Sequence, residues 1–298
     1  MAYPLVSVVT PSYNQAEFIE DTIRSVRHQS HPAVEHVVVD GESDDGTLDV
    51  LRVYDEDLDW ISEPDEGQSD AINKGFDRAT GDIIGWLNSD DVYFDTGVIE
   101  RVVRYFEEYD ADVIYGDIGV INEDSNVLKL FVVPDFDYER LLRGCFIEQP
   151  ALFFRDYVLT EHRLDANLDL VMDYEFWLRL AREFDFRHVS DVLAGDRNHS
   201  KRKILDRRVE LQHEAKAIRR KYGATFGRKY RIARTHDVLT SSIPRGFVMA
   251  ERTYRLHRNP PELAFDGELL PLQVMLGNLL QANRNPDRSG PFSSVPIP

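Results

Sequence analysis

The chain has 298 residues and carries 53 Asp and Glu against 35 Lys and Arg, which gives a formal net charge of −18. Apolar residues make up 42% and charged residues 30%, a composition typical of a globular enzyme rather than of a disordered chain. No run of eighteen uncharged apolar residues occurs, so the sequence predicts no transmembrane helix. The single cysteine, Cys145, has no cysteine partner within the chain, and we expect a protein of a reducing cytoplasm.

The first two hundred residues alternate strand-like and helix-like patterns. The apolar run from Leu5 to Thr10 is typical of a first strand rather than of a signal peptide, because no cationic leader precedes it. The alternation predicts an α/β fold with a mostly parallel sheet flanked by helices. In chain order the predicted strands are residues 5–10, 35–40, 59–62, 83–87, 113–115, 127–132, 151–154 and 186–193, and the predicted helices are residues 16–29, 47–54, 69–79, 98–109, 138–142 and 173–184.

Strand patterns end near residue 200, and residues 201–298 are predicted to form a basic helical extension to a domain of residues 1–200. Residues 201–258 contain 17 Lys and Arg against 5 Asp and Glu. Such a segment suits peripheral contact with an anionic membrane surface, or equally charge pairing with the acidic domain. The strong acidity of the remainder disfavours nucleic acid as a partner. That acidity also suggests a halophilic, salt-rich cytoplasm, with an ordinary acidic soluble protein as the alternative.

Unusual polar residues follow three of the predicted strands. They occupy residues 10–14 after the first strand, 40–47 after the second and 88–91 after the fourth. Open parallel sheets bind ligands at the carboxyl ends of their strands, so these segments predict one shared site. The glycine pattern of a dinucleotide fold and the loop of a P-loop enzyme are both missing. A nucleotide would therefore have to be bound by other residues.

Four groups of residues, in order and with fitting spacing, resemble family 2 glycosyltransferases. The resemblance covers roughly residues 4–200 and implies a GT-A (Rossmann-like) fold and inversion at the anomeric carbon in a single displacement. It also implies a nucleotide diphosphate-sugar donor, for which a UDP-sugar is the family's commonest choice. The matching segments are VSVVTPSYN (6–14) with VVVDGESDDGT (37–47), EPDEGQSDAINKG (63–75), GWLNSDD (85–91) and MDYEFWLRL (172–180).

The resemblance implies a nucleotide pocket at the ends of the first strands. Asp40 would accept a hydrogen bond from a uracil-like imide, although an aspartate before Gly41 could instead cap a turn. Gly67 would permit a close approach of the backbone to the diphosphate. The residues implied in nucleotide binding are Pro11, Tyr13, Asp40, Asp65, Gly67, Asn73 and Asn88.

The segment Asn88 to Asp91 is the predicted metal site. Hard cations such as Mg²⁺ and Mn²⁺ prefer carboxylate oxygens, and phosphate oxygens of a bound donor complete their coordination shell. The family motif has aspartate at the first position, where this chain has Asn88, which leaves Asp90 and Asp91 as the predicted ligands. His199, after the last predicted strand, is a weaker candidate for a third ligand, because an isolated histidine is more often structural.

Asp173 is the predicted catalytic base that takes a proton from the acceptor. It opens a predicted helix on the same face as Phe176 and Trp177, where burial would raise its pKa. Glu175 and Asp169 are the alternative bases, and a helix-capping role is the structural alternative. Residues 148–150 match a stretch that faces the acceptor in the family.

The predicted acceptor is a polyprenyl phosphate or a lipid-linked glycan, which would place the protein at the inner face of the cell membrane. Two other functions remain open at this stage. A nucleotidyltransferase is disfavoured because the chain lacks a basic, glycine-rich loop for a triphosphate. A non-catalytic nucleotide-sugar-binding module would bind a donor without turnover.

Overall fold

The computed structural model describes residues 3–225, and these form one mixed nine-stranded sheet with helices on both faces. The strands are β1 (Val6–Ser12), β2 (Val34–Asp40), β3 (Asp59–Ser62), β4 (Ile83–Trp86), β5 (Val92–Tyr93), β6 (Val113–Ile121), β7 (Val127–Phe131), β8 (Leu152–Arg155) and β9 (Phe186–Arg197). The helices are α1 (Ile19–Arg27), α2 (Thr47–Val53), α3 (Gln68–Arg78), α4 (Val98–Glu108), α5 (Tyr138–Arg143), α6 (Met172–Leu180), α7 (Lys203–Asp206) and α8 (Arg208–Lys221).

The sheet has the order β3-β2-β1-β4-β8-β6-β9-β5, with β7 paired to the side of β6. The four strands β1 to β4 are mutually parallel, and β6 runs parallel to β9. β8 is antiparallel to both of its neighbours, so the sheet is more mixed than the alternation alone predicted. The α/β fold class with flanking helices is confirmed.

The order in which successive strands are added to the sheet reverses at β1. β2 and β3 lie on one side of β1, and β4 lies on the other. A crevice forms at the carboxyl ends of strands on either side of such a point, and ligands bind there in open α/β sheets. The predicted polar segments after β1 and β4 therefore meet at this crevice.

Both faces of the sheet are covered by apolar side chains. Along β1 the alternating side chains of Val8 and Val9 enter different hydrophobic clusters, because successive residues of a strand face opposite sides. The cluster of Val9 includes α3 and α6, and that of Val8 includes α4. Burial on both faces explains the continuous valine run of β2.

The extension predicted to begin at residue 201 starts with α7 and α8, and α8 packs on the same core as the sheet. Ile218 and Tyr222 are buried in the cluster that contains α6. Residues 226–298, which include most of the predicted basic extension and an apolar helix that the sequence predicts at roughly residues 271–280, lie outside the described residues. Among the residues that are described, every helix is too short or too polar to cross a membrane.

Candidate active site

A cavity of about 830 Å³ lies at the carboxyl ends of β1 and β4. Its volume is in the range of pockets that hold a cofactor-sized ligand. Loops after β3 and α5, the start of α6, and the segment from Asp196 through α8 complete its walls. Eight of the ten predicted site residues line it, namely Pro11, Tyr13, Asp65, Gly67, Asn88, Asp90, Asp91 and Asp173. Asp40 and Asn73 are not among the lining residues.

Tyr13, Asp65 and Gly67 lie together at one end of the cavity. The Tyr13 ring is 62% exposed, which leaves an aromatic face free for stacking. Asp65 Oδ1 accepts a hydrogen bond from the Gly67 backbone nitrogen at 2.8 Å. A Cβ atom on Gly41 would overlap Asp65 Oδ2 and lie 3.5 Å from Tyr13 Cδ2. Gly41 therefore allows these two side chains to approach the end of β2, a role that the sequence analysis did not assign.

The contacts of Asp40 and Asn73 are with the protein itself. Asp40 Oδ2 accepts from the Ser43 backbone nitrogen at 2.9 Å and from Ser62 Oγ at 2.8 Å, and Oδ1 accepts from Ser43 Oγ. These are the contacts of the turn-capping alternative. The Asn73 amide exchanges two hydrogen bonds with the Leu164 backbone, at 2.9 and 3.0 Å. Both residues thus position backbone behind the cavity, and their contact with nucleotide stays a prediction.

Asn88 connects several walls of the cavity through its amide group. Its Oδ1 accepts from Gln68 Nε2 and Trp86 Nε1, both at 3.0 Å. Its Nδ2 donates to Gln149 Oε1 at 2.8 Å and more weakly to Asp91 Oδ2 at 3.4 Å. An amide can serve as donor and acceptor at once, whereas the aspartate of the family motif could not donate to Gln149.

Asp90 and His199 form the pair best placed to hold a cation. His199 Nε2 lies 2.9 Å from Asp90 Oδ2, and Asp90 keeps 22% of its side chain exposed to the cavity. One carboxylate and one imidazole suit Mn²⁺ or Mg²⁺ when ligand oxygens supply the remaining positions. Within residues 3–225 no three His, Cys, Asp or Glu side chains converge on one point, so a cation there would also need oxygens from the donor.

Asp91 is more deeply buried than Asp90, and its carboxylate is already bonded. Its Oδ1 accepts from the Arg197 backbone nitrogen at 2.9 Å. Burial raises the pKa of Asp91 well above its usual range, and the charges of Asp90 and Asp196 raise it further. A nearby cation would relieve this cost. Asp91 therefore lines the cavity from a more buried position than Asp90, and its role as a metal ligand stays a prediction.

Arg197, the last residue of β9, and Arg202, which follows that strand, have different roles. The Arg197 guanidinium is fully buried, donates to the Asp90 backbone oxygen at 2.7 Å and pairs with Asp21 at 2.9 Å. It fixes the loop that carries Asp90 and does not line the cavity. Arg202 lines the cavity and pairs with Asp196 at 2.8 Å.

Asp173 and Glu148 are two half-buried carboxyls in the cavity wall. Burial raises the pKa of Asp173 to about 6, although the Tyr174 backbone nitrogen donates to Oδ1 at 2.7 Å. Burial raises the pKa of Glu148 to about 7, and Asp196 and Asp173 add to the effect. Both values lie near the neutral range in which a general base is effective.

The two alternative bases have partners that reduce their basicity. Glu175 is 1% exposed on the side chain, is bonded to Arg179 at 3.0 Å and to Tyr222 Oη, and does not line the cavity. Asp169 lines the cavity but pairs with Lys203 and Arg207. The pKa of Asp169 is lowered through these bonds, which outweigh its partial burial. The geometry therefore favours Asp173 as the base.

Comparisons with known proteins agree with this geometry. Residues 7–155 match Glycosyl transferase family 2. The chain is 36% identical over 233 residues to TuaG of Bacillus subtilis (strain 168), named as a teichuronic acid biosynthesis glycosyltransferase, covering 72% of this chain and 92% of that protein. It is 28% identical to an uncharacterized glycosyltransferase of Rickettsia felis over 66% of this chain, and spans 35% of that longer protein.

Solved structures show the same fold. TarS residues 1–349 of S. aureus, in complex with UDP, has a TM-score of 0.58 at 18% identity, over 95% of this chain and 88% of that one. The mannosyltransferase PcManGT of Pyrobaculum calidifontis, in complex with GDP-Man and Mn²⁺, has a TM-score of 0.57 at 18% identity, over 96% and 87%. The family match and the similar relatives, rather than the shared fold, favour a sugar transferase over a nucleotidyltransferase or a binding module. With half of its length matching the family and a relative at 36% identity, the chain belongs to glycosyl transferase family 2 and is a glycosyltransferase.

Proposed function

We propose that this glycosyltransferase moves a sugar from a UDP-sugar to an acceptor with inversion at the anomeric carbon, in one displacement. The observation that carries the proposal is a single cavity with three separate groups along it. Tyr13 and Asp65 suit a nucleoside, Asp90 with His199 suits a cation, and Asp173 is a half-buried carboxyl that suits a base. These are the parts that a metal-assisted displacement needs.

The donor would bind with its base and ribose at the end formed by Pro11, Tyr13, Asp65 and Gly67. TarS, whose fold is similar, is described in complexes with UDP and with UDP-GlcNAc, which supports uridine as the base. The nucleoside end of the cavity leaves room for the base of the donor to stack on an aromatic ring. Gly67, with φ at 114°, presents no side chain to the diphosphate.

Asp90 and His199 are the residues that would hold Mg²⁺ or Mn²⁺. The cation supplies neutralisation of the diphosphate charge as the sugar leaves. PcManGT is described with Mn²⁺, which supports a divalent ion in this fold. Asp91 and Arg197 hold the Asp90 loop in position through the bonds described above.

Asp173 would take the proton from the acceptor hydroxyl. Its pKa of about 6 leaves it deprotonated at neutral pH, yet more basic than a solvent-exposed aspartate. Because its helix begins at Met172 and is anchored by Phe176 and Trp177 in the core, the carboxyl is held at a fixed point of the wall.

The acceptor would be a polyprenyl phosphate or a lipid-linked glycan, met at the inner face of the membrane. Several cations of the predicted membrane-contacting segment pair with carboxylates of the sheet domain. Arg202 pairs with Asp196, Lys203 with Asp169 and Lys201 with Glu17. Peripheral membrane contact would therefore depend on the other cations of residues 201–258, many of which lie outside the described residues.

The test is release of nucleotide from a panel of UDP-, GDP- and dTDP-sugars, with and without Mn²⁺ or Mg²⁺. We expect metal-dependent release from a UDP-sugar, reduced at least about 100-fold in Asp90→Ala and in Asp173→Asn. Asp110→Asn, an exposed aspartate outside the cavity, is the matched control and should retain full activity. Release that is unaffected by both cavity variants would contradict the assignment of these residues.

A further inference from the structure

The side of α8 that faces the cavity is a strip of three residues. Leu211, Ala215 and Arg219 line the cavity and follow one another at intervals of four residues, so they lie on one face of the helix. At the rise of an α-helix, the strip is about 12 Å long. Leu211 and Ala215 are half-buried and form its apolar part, and Arg219 ends it. The proposed transfer chemistry uses none of these residues.

Two hydrogen bonds fix α8 along this side of the cavity. Glu214 Oε2 accepts from the Leu170 backbone nitrogen at 3.2 Å, which joins the middle of α8 to the loop before α6. Arg219 Nη1 donates to the Arg143 backbone oxygen at 3.2 Å, which joins the far part of α8 to the end of α5. The strip therefore runs from the loop before α6 to the end of α5 as a fixed part of the wall.

Further apolar residues line the cavity beside the apolar part of the strip. Leu170 and Met172 line the cavity, and Leu211 and Ala215 pack against the hydrophobic cluster to which both belong. Ile204 of α7 lines the cavity too and remains 36% exposed. Apolar surface in an open cavity favours a ligand that removes it from water. This part of the wall therefore suits a hydrocarbon chain.

Arg219 gives the strip a cationic end. Its guanidinium stays protonated, and its planar set of N–H donors matches the oxygens of a phosphate. Arg219 lines the cavity although the residue is only 9% exposed, so its charge is poorly screened by water. Met172, beside the apolar part, directly precedes Asp173 in α6. The strip thus adjoins the wall that carries the proposed base, and it offers an apolar surface followed by a site for an anion.

We propose that the strip on α8 binds the lipid part of the acceptor. The apolar chain lies on Leu211 and Ala215, and the phosphate at the head of the chain binds Arg219. This inference rests on the proposed function, in which the acceptor is a polyprenyl phosphate or a lipid-linked glycan. The chemistry that the strip recognises is an apolar chain that ends in phosphate. The first part of that chain therefore enters the cavity and leaves the membrane.

The experiment measures by calorimetry how three simple probes bind to the full chain saturated with UDP. Decyl phosphate has both parts, methyl phosphate lacks the chain, and decyl glucoside lacks the phosphate; each is used below its micelle concentration. We expect decyl phosphate to bind at least about 10-fold more tightly than methyl phosphate, because the chain covers apolar surface. It should bind at least about 3-fold more tightly than decyl glucoside, because only the phosphate pairs with Arg219.

Matched variants of α8 locate the chain. Ala215→Leu fills the strip and should remove most of the gain of decyl phosphate over methyl phosphate. Ala217→Leu makes the same change at an exposed position outside the cavity and should match the unsubstituted chain. Leu211→Ser makes the strip polar without filling it and should weaken decyl phosphate binding about 3- to 10-fold. Its control is Val209→Ser, at a residue that is 70% exposed and outside the cavity.

The affinity for UDP separates this inference from the proposed function. It should change less than about 3-fold in all four variants, because the strip is not part of the nucleoside end. Equal affinities for decyl phosphate and methyl phosphate would overturn the inference, as would unchanged decyl phosphate binding in both cavity variants. Equal affinities for decyl phosphate and decyl glucoside would overturn the role of Arg219. Failure of the unsubstituted chain to bind UDP would instead contradict the proposed function.

Discussion

Burial of the Asp173 carboxyl has opposite effects on activity and on stability. The folded protein binds a proton at this carboxyl more tightly than the unfolded chain does, because the pKa rises from 3.8 to about 6. The contribution of Asp173 to the free energy of unfolding therefore falls as pH rises from about 4 through about 6. Activity should rise over the upper part of the same window, because a base must lose its proton to act.

Asp173→Asn should separate the two effects. We expect the variant to lose activity and yet to be more stable than the unsubstituted chain at pH 7.5, by about 1–3 kcal/mol. At pH 4 the stability gain should be nearly absent, since the carboxyl is then protonated in the folded protein and about half protonated in the unfolded chain. Urea unfolding at the two pH values measures this, with Asp110→Asn as the control. A loss of stability at pH 7.5 would show that the carboxylate is favourably bound in the fold.

The close packing around Gly41 leads to a prediction about UDP affinity at the nucleoside end of the cavity. Gly41→Ala should push Asp65 away from its bond with Gly67 and weaken UDP binding about 10-fold, measured by calorimetry. Asp65→Ala should weaken binding by a similar factor. If Gly41 acts through Asp65, the double variant should be no weaker than either single variant. Fully additive losses would mean that Gly41 acts in another way.

Among the elements, α6 is joined to the end of α8 by a buried carboxylate. Glu175 of α6 accepts hydrogen bonds from Arg179, from Tyr222 and from Lys221, the last residue of α8. Glu175→Ala should lower the free energy of unfolding by about 2–4 kcal/mol, because it leaves Arg179 without its partner. Tyr222→Phe should cost only about 1 kcal/mol, since it removes one hydrogen bond and no charge. Urea unfolding checks both values, and equal effects of the two variants would argue against a charge contribution.

Elements with strong apolar periodicity were predictable from the sequence, whereas strand segments that are defined only by hydrogen bonds to a neighbouring strand were not. The bounds of β1 to β4 and α3 were predicted within about two residues. A strand buried on both faces and a helix buried on one face each leave a clear pattern of apolar residues. β9 was predicted to end at residue 193 but continues to Arg197, since it gains partners on β6 and β5. The two-residue strand β5 was missed for the same reason: only its partner defines it.

The site shows the same division between motif and contact. Local motifs were enough to place Asp65, Asp90 and Asp173 at the cavity. The pairing of His199 with Asp90 spans more than a hundred residues and could not be inferred from spacing. The deep burial of Asp91 could not be inferred either, because an acidic sequence string does not reveal which carboxylate is exposed.

At the scale of the whole molecule, the excess of acidic residues makes stability sensitive to salt. With a net charge of −18, the acidic side chains of the folded chain repel one another, which lowers the free energy of unfolding. Mobile ions screen this repulsion beyond a distance of about 10 Å at 0.1 M salt, and beyond shorter distances at higher salt. We expect Tm to rise between 0.1 and 2 M KCl, measured by calorimetry at constant pH. An ordinary acidic protein whose charges are already balanced by local pairs, such as Arg202 with Asp196, would show a flat response.

The residues that line the cavity come from two segments that follow each other along the chain, and this order affects how related genes can diversify. Its proposed donor side comes from residues 11–91, and its proposed acceptor side from residues 144–219. A single recombination between the two coding segments would exchange the acceptor side and leave the donor side intact. Two contacts restrict this exchange, because His199 must still meet Asp90, and the Arg197 backbone must still meet Asp91. Hybrid genes that preserve these two pairs are the ones expected to yield active enzymes with new acceptors.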